Sequence, residues 1–214
     1  MIHLYGVVDG LAELPPLAGL EEAPLERRRV DGLELVLSRS QASPSGEISR
    51  DSVLRHAEVV EELMTRSAAV LPAQLGRAFR DEGELTAAVR AQAPQLERGL
   101  ERVRGCVEFG LRAIPSESDV ELDAASGTDY MRARLEEVHR GDRLVAQLHE
   151  PLARLAREVT LRQQRGELSA AYLVARKDAV AFQQAVARLE RSPEVTVVCT
   201  GPWPPYSFAG ETDQ

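Results

Sequence analysis

The chain has 214 residues with 43% hydrophobic and 28% charged side chains, the composition of a globular protein large enough to bury a sizeable core. Its formal net charge of -8 argues against general affinity for nucleic acids, which requires clustered cations facing the phosphates. No apolar run reaches the ~18 residues that a membrane-spanning helix needs, and the first residues lack the basic start of a signal peptide, so we expect a cytoplasmic protein.

The N-terminal part of the chain predicts two strands joined by a connection. Residues 2–8 form a short apolar run that ends at Asp9-Gly10, and residues 33–38 form a second run of this kind. Residues 11–31 between them are rich in Pro, Glu and Arg, so we expect a connection there. Three consecutive arginines, Arg27 to Arg29, are expected in a solvated turn.

Two amphipathic helices are predicted next. Ser49 stands where an N-cap is expected, and apolar residues follow it at helical spacing as far as Met64. Residues 81–100 predict a second helix with its own apolar stripe. Pro94 lies inside this helix, where we expect it to kink or split the element because proline lacks the amide donor of the helical hydrogen bond.

An extended segment is predicted after each of these helices. Residues 70–76 follow the first helix, with Pro72 marking an edge or irregular strand, and residues 103–114 follow the second. The resulting order of elements, with a loop in place of the first crossover helix, approximates a ferredoxin-like α/β sandwich. We therefore expect an N-terminal domain over residues 1–115.

The second part of the chain predicts a linker and then a long helix. Residues 116–126 are acidic and polar, as expected of a linker, and the helix is predicted to begin at Ser126. Its apolar positions recur in steps of three, four and seven: Met131, Leu135, Val138, Val145, Leu148 and Leu152. Gly141-Asp142 interrupts the pattern, and Pro151 is a candidate for its end.

The residues after this helix predict a hairpin, a helix and a last strand. Residues 157–162 alternate like a strand but also fit a helix, and the polar break after them favours a hairpin with residues 170–174. Residues 179–189 predict a helix, and residues 194–199 predict the final strand. The inward side of that helix is expected to carry Phe182, Val186 and Leu189. An α+β C-terminal domain with a long helix is thus expected over residues 127–214, and a second sandwich that shares the strand at residues 103–114 stays open as an alternative.

Near its end the chain has a proline-aromatic run, residues 200–208, which holds the only Trp of the protein. Each proline fixes φ and removes an amide donor, so we expect a stiff, polyproline-II-like ribbon that presents three aromatic rings. Two interpretations stay open. Either the rings cover the exposed edge of the sheet, or they form a patch that binds a partner protein, and both can hold together.

The chain has no recognisable catalytic, phosphate-binding or metal-binding motif. It lacks the GxGxxG, P-loop and Gly-x-Ser-x-Gly patterns, and its adjacent carboxylates splay apart on helices. His56 is interpreted as a hydrogen-bonded packing residue. Cys106 and Cys199 lack the spacing of a zinc site and are expected to be small buried hydrophobes rather than a disulfide. We therefore predict no catalytic residue, no cofactor and no metal site, and a protein that is not an enzyme.

Seven segments, in their order along the chain, together resemble the gas vesicle F/L family. They are Tyr5-Gly6-Val7-Val8, His56 with Val59-Val60-Glu61, residues 70–76 with Phe79, Gly105-Cys106-Val107-Glu108-Phe109, Asp129-Tyr130-Met131, Ala171-Tyr172-Leu173-Val174, and Gly201 to Phe208. Leu75 stands where the family commonly has an aromatic residue. The match spans nearly the whole chain, and the ordered set is far more specific than any single segment other than the proline-aromatic run.

This resemblance implies an accessory protein of gas vesicle assembly that is cytoplasmic and associated with the gas vesicle. It implies a modified ferredoxin-like N-terminal domain followed by a helix-rich α+β C-terminal domain, which agrees with the fold class predicted above. The implied partners are the small hydrophobic shell-forming (GvpA-like) subunit and other gas vesicle accessory proteins during nucleation or growth of the shell. No partner role for nucleic acid or membrane is implied.

An adaptor of this kind is expected to hold an apolar shell subunit through an edge strand or an apolar groove. The candidate partner-binding residues come from the irregular strand and the proline-aromatic run: Leu71, Pro72, Leu75, Phe79, Trp203, Pro204, Pro205, Tyr206 and Phe208. The long helix is a third candidate surface. Two other function classes stay open: a small-molecule-binding regulatory protein with tandem ferredoxin-like domains, and an enzyme acting on a small substrate.

Overall fold

The computed structural model describes residues 1–40, 49–115, 126–132, 135, 139, 145–164, 167–189 and 195–210, which form a mixed α+β structure with two sheets. The α+β class predicted from the sequence is confirmed. The strands are β1 (Ile2–Asp9), β2 (Leu25–Val30), β3 (Leu33–Arg39), β4 (Ala69–Pro72), β5 (Ala78–Phe79), β6 (Cys106–Pro115), β7 (Glu158–Gln164), β8 (Glu167–Ala175) and β9 (Val195–Trp203). The helices are α1 (Arg50–Arg66), α2 (Glu82–Val103), α3 (Glu150–Ala153) and α4 (Ala179–Leu189), with a π-helical turn at Val145–His149.

The chain divides into two compact units. The first unit holds Met1–Cys106 together with Trp203–Gln214, and the second holds Val107–Pro202. These limits differ from the expected domains at 1–115 and 127–214, whose boundaries stay a prediction. The expected linker at 116–126 lies almost wholly outside the described residues.

The first unit is built on a sheet in the order β2-β3-β1-β4, with β5 paired to β1. Strand β1 is buried from Ile2 to Val8, which requires cover on both faces of the sheet because side chains alternate along a strand. Helix α1 contributes His56, whose ring stacks on Tyr5 of β1 at a centroid distance of 5.4 Å. Helix α2 lies against Leu71 of β4. The two helices thus bury the apolar runs predicted as strands.

The prediction of a connection and a solvated turn at Arg27 to Arg29 is wrong, because these residues lie in strand β2. This strand pairs antiparallel with β3 through a tight turn at Asp31-Gly32, both of which have positive φ (49° and 85°). Such a turn is the common two-residue hairpin connection, and an Asp-Gly dipeptide is its usual signal. Charged side chains on an outer strand also discourage pairing with other chains.

Both long helices are capped at their N-termini, α1 by Ser49, as predicted, and α2 by Asp81. The Ser49 hydroxyl accepts a hydrogen bond from the Ser52 amide at 3.0 Å, and an Asp81 carboxylate oxygen accepts one from the Glu84 amide at 2.9 Å. Helix α2 runs through Pro94 as one element, so the expected split does not occur. Pro94 is exposed, and so is Arg90, whose carbonyl loses its helical hydrogen bond because proline has no amide donor.

The second unit contains a sheet in the order β7-β8-β6-β9. The predicted hairpin is confirmed, since β7 and β8 pair antiparallel. Helix α4 packs Phe182 against Phe109 and Tyr172, at ring centroid distances of 4.8 and 5.2 Å. Leu189 is only half-buried. This aromatic cluster forms the core of the unit.

The predicted long helix is described only in part. Residues 127–132 are helical, and the apolar Met131 and Leu135 are exposed. Leu148 and Leu152 are buried as predicted, in the π-helical turn and in α3, whereas Val138 lies outside the described residues.

The proline-aromatic run is not the polyproline-II-like ribbon that was expected. Strand β9 continues to Trp203, and residues Tyr206–Phe208 form a 3-10 turn. Strand β9 is last in the order of its sheet, where a proline is tolerated because one side of the strand needs no amide donor.

Candidate protein-binding groove

The first unit contains an open cavity of about 560 Å³ between helix α2 and strands β1, β4 and β5, which we call the groove. Its floor is apolar and is contributed by the strands through Leu4, Val7, Leu71, Pro72 and Phe79. Val7 and Leu71 are register partners on neighbouring strands, so their side chains point to the same face of the sheet. The strands thereby supply a continuous apolar surface.

Helix α2 forms the facing wall with small and polar side chains. Ala88, Gln92, Gln95, Gly99 and Arg102 recur in steps of three and four and line the groove. A Cβ atom on Gly99 would lie 2.9 Å from Leu71 Cδ1, so the absence of a side chain lets the helix approach the sheet closely. Val89 and Leu96 of the same helix also line the groove, which stays open beside these small and polar side chains.

The rim of the groove is basic. Arg77, Arg98 and Arg102 line it, and none of the described lining residues is Asp or Glu. The Arg77 guanidinium donates a hydrogen bond to the side-chain oxygen of Gln92 at 3.3 Å. Arg98 is exposed and makes no ion pair with any described residue. This rim contrasts with the acidic balance of the whole chain.

One end of the groove is bounded by residues 203–210, which we call the closing segment. Ala209 and Gly210 line the groove, and the Arg102 guanidinium donates hydrogen bonds to the carbonyl oxygens of Phe208 and Gly210, the latter at 2.9 Å. The Phe208 side chain is 1% exposed. The closing segment is therefore fixed both by a buried ring and by a charged hydrogen-bond donor.

The candidate residues from the sequence divide into three groups. Leu71, Pro72 and Phe79 lie together in the groove. Pro204, Pro205 and Phe208 are buried in the closing segment. Trp203 and Tyr206 are 44% and 40% exposed, and Leu75 is half-buried in the turn after β4. A partner-binding role for these residues stays a prediction.

The α2 wall and the basic rim of the groove were not predicted from the sequence. The signal was present, since small, amide and basic residues recur at helical spacing over residues 88–102 beside the buried stripe. A stripe of this kind is easily taken for an ordinary solvated face.

A buried polar cluster around His3, Tyr5 and His56 is the other notable arrangement in this unit. His56 Nε2 lies 2.9 Å from the Ala73 carbonyl oxygen and must donate to it. His56 Nδ1 is then an acceptor, so His3 Nε2 donates to it across 3.0 Å. The Tyr5 hydroxyl accepts from the Leu20 amide at 2.6 Å and lies 3.0 Å from the Ser38 hydroxyl.

The electrostatics of this cluster favour its neutral form. Burial, with a smaller contribution from the neighbouring His56, lowers the pKa of His3 to about 4. Burial also lowers the pKa of His56, and the hydrogen bond to Ala73 opposes this shift. Burial raises the pKa of Tyr5, against the effect of its hydrogen bonds. His56 thus has the hydrogen-bonded packing position predicted for it.

The described residues hold no group of three or more His, Cys, Asp or Glu side chains arranged to bind a metal ion. Cys106 and Cys199 are not joined in a disulfide; Cys106 is buried and Cys199 is half-buried. Within the described parts of the chain, no helix combines the length and apolar character required to cross a bilayer.

Comparisons with known proteins place the whole chain among gas vesicle proteins. The family model described as "Gas vesicle synthesis protein GvpL/GvpF" matches residues 1–210. The chain is 31% identical to gas vesicle protein L of Streptomyces sp. (strain CB03234), over 98% of this chain and 83% of that protein. It is 26% identical to gas vesicle protein F2 of Halobacterium salinarum, over 97% and 91%.

A solved structure has the same fold. The crystal structure of the gas vesicle protein GvpF from Anabaena sp. PCC7120 matches with a TM-score of 0.82, covering 99% of this chain and 96% of that one. The two sequences are 18% identical, so this likeness concerns the fold alone.

Proposed function

The chain belongs to the gas vesicle synthesis protein GvpL/GvpF family, and from this we propose that it is an accessory protein of gas vesicle assembly. In this role it binds the hydrophobic shell-forming subunit and other gas vesicle proteins while the shell is nucleated or grows. The protein acts in the cytoplasm at the gas vesicle. It works by presenting surface to other proteins and not by transforming a substrate.

The observation that carries this proposal is the groove between α2 and the sheet. Apolar subunits aggregate through exposed edges and patches, so a protein that delivers them needs a surface able to cover apolar side chains. The groove offers an apolar floor and a volume of about 560 Å³ in a chain whose overall charge is acidic. Trp203 and Tyr206 add two exposed aromatic rings, a residue type favoured at protein interfaces.

The test is capture of the purified shell subunit by the full chain on a resin, with shell subunit in the soluble fraction as the readout. We expect the wild-type chain to retain the subunit and to keep it from precipitating. Absence of capture by the folded wild-type protein would contradict the proposal.

The exposed rings provide a first prediction for the same assay. The double variant Trp203→Ala/Tyr206→Ala should retain several-fold less shell subunit, because exposed aromatic anchors contribute strongly to protein interfaces. Tyr130→Ala is the matched control, since Tyr130 is 56% exposed and lies in the second unit. Equal capture by the wild type and the double variant would remove these two rings from the binding surface.

A second candidate function is a small-molecule-binding regulatory protein. The volume of the groove lies within the range of small-ligand pockets, roughly 300–1,000 Å³. A thermal-shift screen with metabolites separates the two functions. A soluble metabolite that raises the melting temperature, in the absence of shell-subunit capture, favours the regulatory protein.

A further inference from the structure

We infer that the groove binds an extended segment of a partner protein in which apolar side chains alternate with carboxylates. The identity of the partner rests on the proposed function, whereas the chemistry of the segment follows from the groove itself.

The charge of the groove selects an acidic occupant. The chain carries 34 acidic and 26 basic residues, and its surface therefore repels anions in general. The described residues that line the groove reverse this balance, with three arginines and no Asp or Glu. An acidic segment is thus attracted to the groove and repelled by the rest of the chain, which gives orientation as well as affinity.

Two of the three arginines are available to such a segment. Arg102 donates to the carbonyl oxygens of the closing segment and so serves to bound the groove. Arg77 bonds a neutral amide, and Arg98 makes no ion pair with any described residue. A guanidinium presents a planar pair of donors that matches a carboxylate. Arg77 and Arg98 are therefore the residues expected to pair with carboxylates of the partner.

The dimensions of the groove set the length of the segment. The α2 residues that line it run from Ala88 to Arg102, about 21 Å at 1.5 Å per helical residue. That distance corresponds to roughly six residues of extended chain at about 3.3 Å each. Alternate side chains of an extended segment point in opposite directions, so one set can face the apolar floor while the other faces the rim.

The first experiment measures binding of a labelled peptide to the full chain by fluorescence anisotropy. The probe is an eight-residue fluorescein-labelled peptide in which Leu and Val alternate with Glu, and sister peptides carry Gln or Lys at the Glu positions. We expect the Glu peptide to bind about tenfold more tightly than the Gln peptide and to weaken as salt rises, with the Lys peptide weakest. Equal affinities of the Glu and Gln peptides would overturn the inference.

Two pairs of variants locate the binding site. Ala88→Leu fills the groove from α2, and Ala91→Leu is its control because Ala91 is exposed on the same helix and does not line the groove. Arg98→Gln removes a rim cation, and Arg90→Gln is its control because Arg90 pairs with Asp31 away from the groove.

We expect Ala88→Leu to weaken binding of the Glu peptide by about tenfold or more, because the larger side chain takes the place of an apolar side chain of the peptide. Arg98→Gln should weaken binding of the Glu peptide several-fold and leave the affinity for the Gln peptide unchanged. Wild-type affinity in both variants would overturn the inference. Arg98 is exposed, so its substitution remains informative even where Ala88→Leu disturbs folding. A competition experiment with decanoate, a small amphiphile, gives a further outcome. If decanoate occupies the groove and the Glu peptide binds at a second site, the inference is overturned in favour of a small amphiphile.

Capture of the shell subunit by the same variants separates this inference from the proposed function. Capture by the wild type and by Ala88→Leu alike would overturn the groove as the binding site and leave the proposed function standing. No capture by the wild type, with tight and groove-dependent binding of the Glu peptide, would contradict the proposed function and support the chemistry of the groove.

Discussion

The pair of histidines in the first unit shows how a buried polar residue is held in one protonation state. Both nitrogens of His56 are engaged, one as a donor to Ala73 and one as an acceptor from His3. A proton on His56 Nδ1 would remove the acceptor of the hydrogen bond from His3, and a proton on either ring would place a charge in the core. The cluster therefore stabilises the fold only while both rings are neutral.

We predict that the protein loses stability as the pH falls below about 6.5. The pKa of His3 is about 4 in the folded chain, against 6.5 for a histidine in water, so the unfolded chain binds more protons between these values. The contribution of neutral His3 to the free energy of unfolding is complete above pH 6.5 and decreases as the pH falls. At pH 5 the free energy of unfolding is lower by roughly 1–2 kcal/mol. Urea unfolding at pH 7.5 and pH 5 measures it.

His3→Gln should flatten this dependence because it removes the titrating group. His139→Gln is the control, since His139 is exposed. An unchanged slope in His3→Gln would show that other groups cause the acid sensitivity.

Gly6 is a second residue whose role follows from its surroundings. A Cβ atom at this position would lie 2.7 Å from the Leu71 carbonyl oxygen, a backbone atom that cannot rotate away. Gly6→Ala should therefore lower the free energy of unfolding by about 1–3 kcal/mol. Gly127→Ala, at a site with open space around the added atom, should change it little. Equal unfolding midpoints in urea would contradict this account.

Among the elements, the helices and buried strands could be predicted from the sequence because their signals are local. Ser49 and Asp81 cap α1 and α2, and the buried strands consist of short apolar runs. Strand β2 could not be recognised by composition, since its arginines favour solvent and its position is set by pairing with β3. The floor of the groove was partly predicted through Leu71 and Phe79. Its wall was not, because it depends on which side of α2 faces the sheet.

The cap of α2 gives a prediction at the scale of the element. Asp81→Ala removes the carboxylate that accepts from the Glu84 amide and should lower the free energy of unfolding by about 1 kcal/mol. Glu97→Ala, an exposed substitution within the same helix, should have a much smaller effect. Circular dichroism during urea unfolding compares the two, and equal losses would argue against a capping role.

For the whole molecule, the closing segment joins sequence-distant parts of one unit. The chain leaves the first unit at Cys106 and returns to it at Trp203. Among the returning residues, Phe208 is buried and the Gly210 carbonyl oxygen accepts a hydrogen bond from Arg102. These residues thereby close one end of the groove. This long-range closure could not be read from the proline-aromatic run, whose composition favours a protruding ribbon as much as a buried one.

Phe208→Ala should be among the most destabilising substitutions in the first unit, although it lies far along the sequence from the sheet of that unit. Loss of a fully buried phenylalanine costs about 3–5 kcal/mol. Trp203→Ala should cost clearly less because 44% of that side chain is already in solvent. The measurement is the free energy of unfolding in urea. If Trp203→Ala lowered the free energy of unfolding more than Phe208→Ala, the assignment of Phe208 as the buried ring and Trp203 as the exposed one would be wrong.

The return of the chain to the first unit also has a consequence for synthesis. Ribosomes release a polypeptide from its N-terminus onward, and compact units generally fold as they emerge. Here residues 203–210 are translated after all of Val107–Pro202, so the early-made sheet and α2 must wait for the whole second unit before their last contacts form. The groove is therefore complete only after the second unit has been translated.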